Sequence, residues 1–269
     1  MNLHPEHDLR VAMVQADTVW RDAGANRRLY GDLVRPLAGH ADLVVLPETF
    51  TSGFGNDALD QAEGMDGANV AWLRELADHV GATITGSMVI AEGGRVFNRL
   101  LWAQPEGTLA WYDKRHLFRM ADEHLRYGEG QQRIVTSCRG WRVLPLVCYD
   151  LRFPVWSRNR LLEDDRCEYD LALYVANWPS PRRYAWQSLL RARAIENLAY
   201  VVGVNRVGTD GAGHHYSGDS VVLDPLGQPL IELGAQAQVV ITRLSATALR
   251  QHRERFPAFR DADSFRLEP

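Results

Sequence analysis

Cysteine is scarce: three residues in 269, Cys138, Cys148 and Cys167, an odd number with no C-x-x-C pair. Three thiols cannot pair off completely, which excludes a disulfide framework and fits a reducing compartment such as the cytoplasm. Long apolar runs are also missing. Stretches such as Asp42 to Pro47 are too short to span a bilayer, and Met1 to Leu9 carries His, Glu and Asp where a secretory signal would be apolar. There is no surplus of positive charge. A formal net charge of −4 leaves no electrostatic footprint for nucleic acid or an anionic membrane, so small metabolites are the expected partners. H-E-x-x-H spacing is absent. The His214-His215 pair lies in a Gly-rich stretch, and adjacent side chains rarely face one ion.

What is present is an ordinary globular mixture, 46% apolar and 24% charged, long enough to bury a sizeable core. The 22 glycines and 12 prolines are scattered without a linker-like block, which favours a single domain over residues 1–269. Short β-branched runs predict strands at Leu9 to Gln15, Ala41 to Pro47, Thr83 to Ala91, Val96 to Ala103 and Leu109 to Tyr112. In the second half the same reading gives strands at Arg142 to Cys148, Asp170 to Ala176, Ala199 to Asn205, Ser220 to Leu223 and Gln238 to Arg243. Apolar residues at helical spacing predict helices over Ala25 to Leu37, Asn69 to Val80, Val155 to Leu162 and Arg183 to Asn197. Gly208 to Gly218 reads as a mobile surface turn. Strands alternating with helices define an α/β layered fold, with two sheets packed face to face and helices outside.

Three segments carry reactive side chains directly after predicted strands, where α/β folds commonly place functional groups. Glu48, in Leu46-Pro-Glu48-Thr-Phe50, is a candidate general base. Lys114, in Tyr112-Asp-Lys114-Arg-His-Leu-Phe118, is a candidate donor to a developing oxyanion. Alone, each reads better as a solvated turn residue or a surface ion pair. Cys148 opens Cys148-Tyr-Asp-Leu-Arg-Phe-Pro154; a thiol between a strand end and a helix start is a candidate nucleophile with a stabilised anion. A buried structural cysteine is the usual alternative. The polar turn of Tyr149, Asp150 and Arg152 argues against it here, and Cys138 and Cys167 lack any such setting.

In this order and spacing, the three segments resemble the signature blocks of the nitrilase, or carbon–nitrogen hydrolase, superfamily. The similarity extends through Ala176-Asn-Trp-Pro179 and Arg191-Ala-Arg-Ala-Ile-Glu-Asn197 over nearly the whole chain. It implies a four-layer α-β-β-α sandwich, a Glu48–Lys114–Cys148 triad and no metal or organic cofactor. It also implies a homodimer or larger homo-oligomer. A second family glutamate matches Glu123, ahead of the Gly128-Glu-Gly130 turn, better than Glu129. In the mechanism these groups suggest, the Tyr149 backbone N–H joins Lys114 at the oxyanion, and Trp178 either walls the pocket or sits as an ordinary core tryptophan.

Within the superfamily the chain looks most like the ω-amidase branch, whose members hydrolyse the terminal amide of 2-oxoglutaramate or 2-oxosuccinamate. Such a substrate carries a carboxylate and calls for a cationic or tyrosyl partner. Arg119, Arg182 and Arg183 all lie near the relevant blocks, and the sequence does not choose among them. Amidases of deaminated glutathione or N-carbamoyl amines, a true nitrilase and a non-catalytic scaffold of the same fold are the alternatives.

Overall fold

The computed structural model describes residues 4–263 and 265–267; Met1 to Leu3 of the N-terminal segment lie outside them. The strands in chain order are β1 (Leu9–Gln15), β2 (Leu43–Val45), β3 (Thr83–Glu92), β4 (Arg95–Ala103), β5 (Leu109–Asp113), β6 (Thr136–Cys138) and β7 (Trp141–Val147). They continue with β8 (Leu171–Ala176), β9 (Tyr200–Asn205), β10 (Val207–Thr209), β11 (His215–Ser217), β12 (Val221–Leu223), β13 (Pro229–Glu232) and β14 (Gln238–Leu244). The helices are α1 (Ala23–Val34), α2 (Ala68–Val80), α3 (Glu123–Arg126), α4 (Pro154–Ser157), α5 (Arg183–Asn197) and α6 (Ala246–Arg255).

Two six-stranded sheets form, in the orders β14-β1-β2-β3-β4-β5 and β13-β12-β9-β8-β7-β6. Each has a parallel centre, β1-β2-β3 in one and β7-β8-β9 in the other, with antiparallel strands toward the edges. Side-chain alternation along β1 shows why both faces of a central strand are apolar. Val11 and Met13 join the core between the sheets, with Leu100, Trp102, Val143, Leu173 and Val202. Ala12 and Val14 face the other way, into a second core with Tyr30 and Val34 of α1 and Leu73, Leu76 and Ala77 of α2. Trp186, Leu190 and Ala194 of α5 pack on the second sheet. The result is the four-layer α-β-β-α sandwich. Late in the chain β14 returns to pair with all of β1, from Leu9↔Leu244 to Gln15↔Gln238, so the first sheet is closed by the C-terminal part.

Local signals account for most boundaries. The Asp22 carboxylate caps α1 by accepting the Ala25 N–H at 2.8 Å, and Pro36 converts its last turn to a 3-10 helix over Arg35–Leu37. Gly81, at φ +67°, ends α2 by donating back to Ala77 and Asp78. Two expectations need correction. The helix foreseen over Val155 to Leu162 stops at Ser157, because Leu161 instead bridges Cys167 in an extended hairpin. Gly208 to Gly218 is not a loose turn. It holds the β10–β11 hairpin, whose Tyr216 is buried and donates to Asp210 at 2.7 Å. Among the described residues no helix is long and apolar enough to cross a membrane.

Candidate active site

The parallel strands of both sheets, and β5, deliver polar residues at their carboxyl ends. Glu48 follows β2, Lys114 directly follows β5, Cys148 follows β7 and Asn177 follows β8. Both sheets face this point, and four of the residues singled out from the sequence converge there. The Lys114 ammonium is 3.0 Å from Glu48 Oε1 and 3.0 and 3.1 Å from the two oxygens of Glu123. All three side chains are buried. Cys148 stands beside them, partly exposed, with its Sγ 3.9 Å from the Asn177 carbonyl oxygen. Glu129, by contrast, is exposed and approaches Arg115, so Glu123 is the glutamate that meets the lysine.

Close packing holds each of these groups. Gly130 donates to the Lys114 carbonyl at 2.9 Å, and a Cβ there would lie 1.9 Å from the Asp113 carbonyl oxygen. Only glycine permits that approach. Glu123 is aimed by the Phe118 N–H, which donates to its Oε2 at 2.6 Å. Around Glu48 four donors converge. Asn98 Nδ2 and Lys114 serve Oε1, while the Asn177 N–H at 2.7 Å and Nδ2 at 3.5 Å serve Oε2. Thr49 and Cys148 sit at φ +41° and +45°, conformations that cost a non-glycine residue roughly 1–3 kcal/mol and persist only where the surroundings impose them. Cys148 begins a 3-10 turn through Arg152, and the first N–H groups of such a turn have no partner within it.

Asp150 provides the constraint on that turn. Fully buried, it accepts from the Val147 N–H (3.0 Å) and the Tyr112 hydroxyl (2.8 Å) on one oxygen. Its other oxygen meets the His116 N–H (3.0 Å) and ring Nδ1 (2.7 Å). The cysteine turn is thereby fastened to the lysine loop, and the His116 ring stacks on Phe153 at 3.7 Å. Sequence reading quoted Asp150 and Asn177 inside their blocks but gave them no role, and Asn98 carried no signal at all.

The electrostatics differ from one expectation. A position between strand and helix was expected to favour the thiolate. Burial instead pushes the Cys148 thiol well above its ordinary pKa, the Glu48 charge adds to this, and Lys114 only partly offsets it. Burial also works against the Lys114 ammonium, yet Glu123 and Glu48 outweigh it and hold the lysine well above its usual value. For Glu123, burial raises the carboxyl; Lys114 opposes this and Glu48 adds to it. Burial raises the other two thiols as well, Cys138 to about 11. Geometry therefore separates the cysteines: Cys148 is the one beside Glu48 and Lys114.

Tyr149 and Trp178 border the same region. The Tyr149 ring lies between Phe118 (5.0 Å) and Phe153 (5.1 Å). Trp178 is buried, packs on Trp186 at 5.5 Å, and donates its indole N–H to the Arg182 carbonyl at 2.9 Å. An open cavity of about 880 Å³, lined by Arg95, Arg115, Arg119, Tyr149 and Phe153 among others, borders the lysine loop from another side; Glu48, Lys114 and Cys148 are not in its wall. His214 and His215 turn to different neighbours, Asp210 and Thr209.

A buried carboxylate–ammonium–carboxylate cluster lies next to a thiol at the shared carboxyl ends of two facing sheets, and these are the groups that acyl transfer through a cysteine needs. The sequence model of the carbon–nitrogen hydrolase family matches residues 10–254, and the chain belongs to that family. Among its relatives is the omega-amidase YafV of Escherichia coli K12, 52% identical over 96% of this chain and 98% of that protein. The 2-oxoglutaramate amidase of Bacillus subtilis is 32% identical over 93% and 96% of the two chains. Among solved structures, a CN-hydrolase superfamily protein from Xanthomonas campestris, XC1258, carries an arsenic adduct in its active site. It superposes with a TM-score of 0.96 at 58% identity, covering 97% of this chain and all of that one. An amidase from Nesterenkonia sp. AN1, in which acrylamide has added to the active-site cysteine, gives 0.76 at 26% identity over 93% and 98%.

Proposed function

We propose that the protein is an ω-amidase that hydrolyses the terminal amide of a 2-oxo dicarboxylate, 2-oxoglutaramate or 2-oxosuccinamate, to the 2-oxo acid and ammonia. The observation that carries the chemistry is the Lys114 ammonium locked between Glu48 and Glu123 beside the Cys148 thiol. The substrate class rests on the omega-amidase and 2-oxoglutaramate amidase relatives, which align along nearly their whole length.

In this reading Cys148 is a thiol at rest, the form that burial and the Glu48 charge favour. As sulfur attacks the amide carbon, the S–H proton passes to Glu48 and the carbonyl electron pair moves onto oxygen. Lys114 and the Tyr149 N–H hold that oxyanion; one such donor is worth about 10²–10³ in rate. The intermediate collapses, the C–N bond breaks, and Glu48 returns its proton to the departing nitrogen, releasing ammonia and leaving a thioester. Water then attacks the thioester, giving a proton to Glu48, and the sulfur leaves to recover it. Glu123 touches neither carbon nor sulfur; it keeps Lys114 charged and in place. Trp178 forms part of the pocket wall.

The same proposal includes one hydrolase domain over residues 1–269, a cytoplasmic location and a homodimer or larger assembly, which light scattering on the purified protein tests. Ammonia release from 2-oxoglutaramate, glutamine, a deaminated-glutathione amide and a simple nitrile, with wild type and Cys148→Ala in parallel, tests the activity. Release from the 2-oxo amide that depends on Cys148 is the expected result. Undiminished turnover by Cys148→Ala removes the nucleophile, and preference for deaminated glutathione moves the enzyme to that branch.

A further inference from the structure

The substrate just proposed is an anion, while the cluster that would act on it holds two carboxylates and one ammonium. Unless a further cation faces the pocket, the carboxylate of the substrate is repelled. Three arginines were open from the sequence, and the structure separates them. Arg183 is committed to Asp219 through two bonds, of 2.6 and 3.2 Å. Arg119 lines the other cavity. Arg182 remains, and among the described residues it has no carboxylate partner.

Its placement is specific. The Arg182 guanidinium lies 5.4 Å over the Phe118 ring, with one nitrogen 3.8 Å from the Met120 sulfur. Phe118 is in edge contact with Tyr149, the neighbour of Cys148. The Arg182 carbonyl is held by Trp178, which follows Asn177, the residue whose carbonyl meets the Cys148 sulfur. A second arginine rests on the tryptophan that holds Arg182: Arg152 lies 5.0 Å over the Trp178 ring and is likewise without a carboxylate among the described residues. A guanidinium resting on an aromatic face is oriented by the ring and keeps its in-plane N–H edge free for a planar anion.

We propose that Arg182, seconded by Arg152, receives the carboxylate of the substrate and so determines selectivity for anionic ω-amides. The inference rests on the ω-amidase reading. It assigns the arginines no part in bond breaking; they select and orient.

The test compares kcat/KM for 2-oxoglutaramate with that for 4-oxopentanamide, in which a methyl group replaces the carboxylate. Wild type is expected to prefer the anion. Arg182→Gln is expected to raise KM for 2-oxoglutaramate about 10- to 100-fold, the loss of a charge-assisted pair, with a smaller change in kcat. The preference collapses accordingly, Arg182→Lys recovers part of it, and Arg152→Gln gives a smaller loss. Arg119→Gln keeps the wild-type ratio. Because each variant is its own reference on the neutral amide, partial misfolding cancels from the ratio. A wild-type preference that survives in Arg182→Gln and in the Arg152→Gln/Arg182→Gln double variant overturns the arginine assignment while leaving the ω-amidase reading standing. A wild type that turns over no 2-oxo amide overturns both.

Discussion

Replacing Lys114 with methionine leaves an unbranched side chain one heavy atom shorter and removes its charge. In the native site that ammonium is the shared partner of Glu48 and Glu123, and all three groups are buried. Methionine would leave two carboxylates facing each other without a counter-charge. Breaking a buried pair this way typically costs about 3–5 kcal/mol. At about 2–4 °C per kcal/mol for a chain of this size, Tm should fall by roughly 6–20 °C. The loss should depend on pH with a definite sign. Without the lysine, burial and the Glu48 charge act unopposed on Glu123 and raise its folded-state carboxyl further above the unfolded value, the direction it already takes in the wild type. A raised folded pKa contributes stability at low pH that is lost as pH climbs through it. The variant should therefore lie nearer the wild type at pH 5 than at pH 8. Calorimetry at both values, reported as the difference from wild type, checks this. Adding Glu123→Gln should recover part of the stability at pH 8 and none of the activity. Equal Tm losses at the two pH values, or no loss at pH 8, would refute the account of the cluster as charge-balanced.

Glu48→Gln should shift the pH profile of Cys148 alkylation toward lower pH, since the Glu48 charge helps hold the thiol protonated; turnover should still drop by about 10²-fold or more with the base gone. An unmoved alkylation midpoint would show that the carboxylate does not act on the thiol. Asp150→Asn places an amide nitrogen against N–H donors in a fully buried site. It should destabilise the protein by about 1–3 kcal/mol and lower kcat, because the cysteine turn is released from its strained φ. Melting and kinetics together decide it, and a wild-type kcat at reduced Tm would mean that Asp150 only stabilises.

What could be read in advance follows from how local the cause is. Glu48 and Cys148 were visible because β2 and β7 are buried on both faces and read as apolar runs, so the first polar residue after each stands out. Helix α5 was placed at its observed ends, since its apolar stripe is set by residues of the helix itself. Elements whose stability comes from distant partners were missed. β6 and β13 are edge strands, with sequences that carry little alternation. α6 is mostly polar, and its buried Arg253 is explained by Asp170 and by the Tyr169 and Leu198 carbonyls, far away in sequence. The same holds for the partners of Glu48. Asn98 looks like any polar residue in a strand, and Asn177 matters only because it lies opposite a residue 129 positions earlier.

That last pair suggests why two sheets are needed for one small cluster. Asn177 comes from the second sheet, and its side chain bonds both the Glu48 carbonyl (2.8 Å) and the Thr49 hydroxyl (3.0 Å) of the first. Asp150 makes the reciprocal link, from the cysteine turn of the second sheet to Tyr112 and His116 of the first. The thiol and its proposed base therefore belong to different layers. Their separation is set by the intersheet core of Val11, Met13, Trp102, Val143 and Leu173 together with these two polar bolts. Close-packed interiors transmit a change of even one methylene. In such a design the register between the layers is part of the catalytic geometry, and truncation of an intersheet residue should lower kcat as well as Tm, whereas truncation in the outer core beneath α1 and α2 should act mainly on Tm.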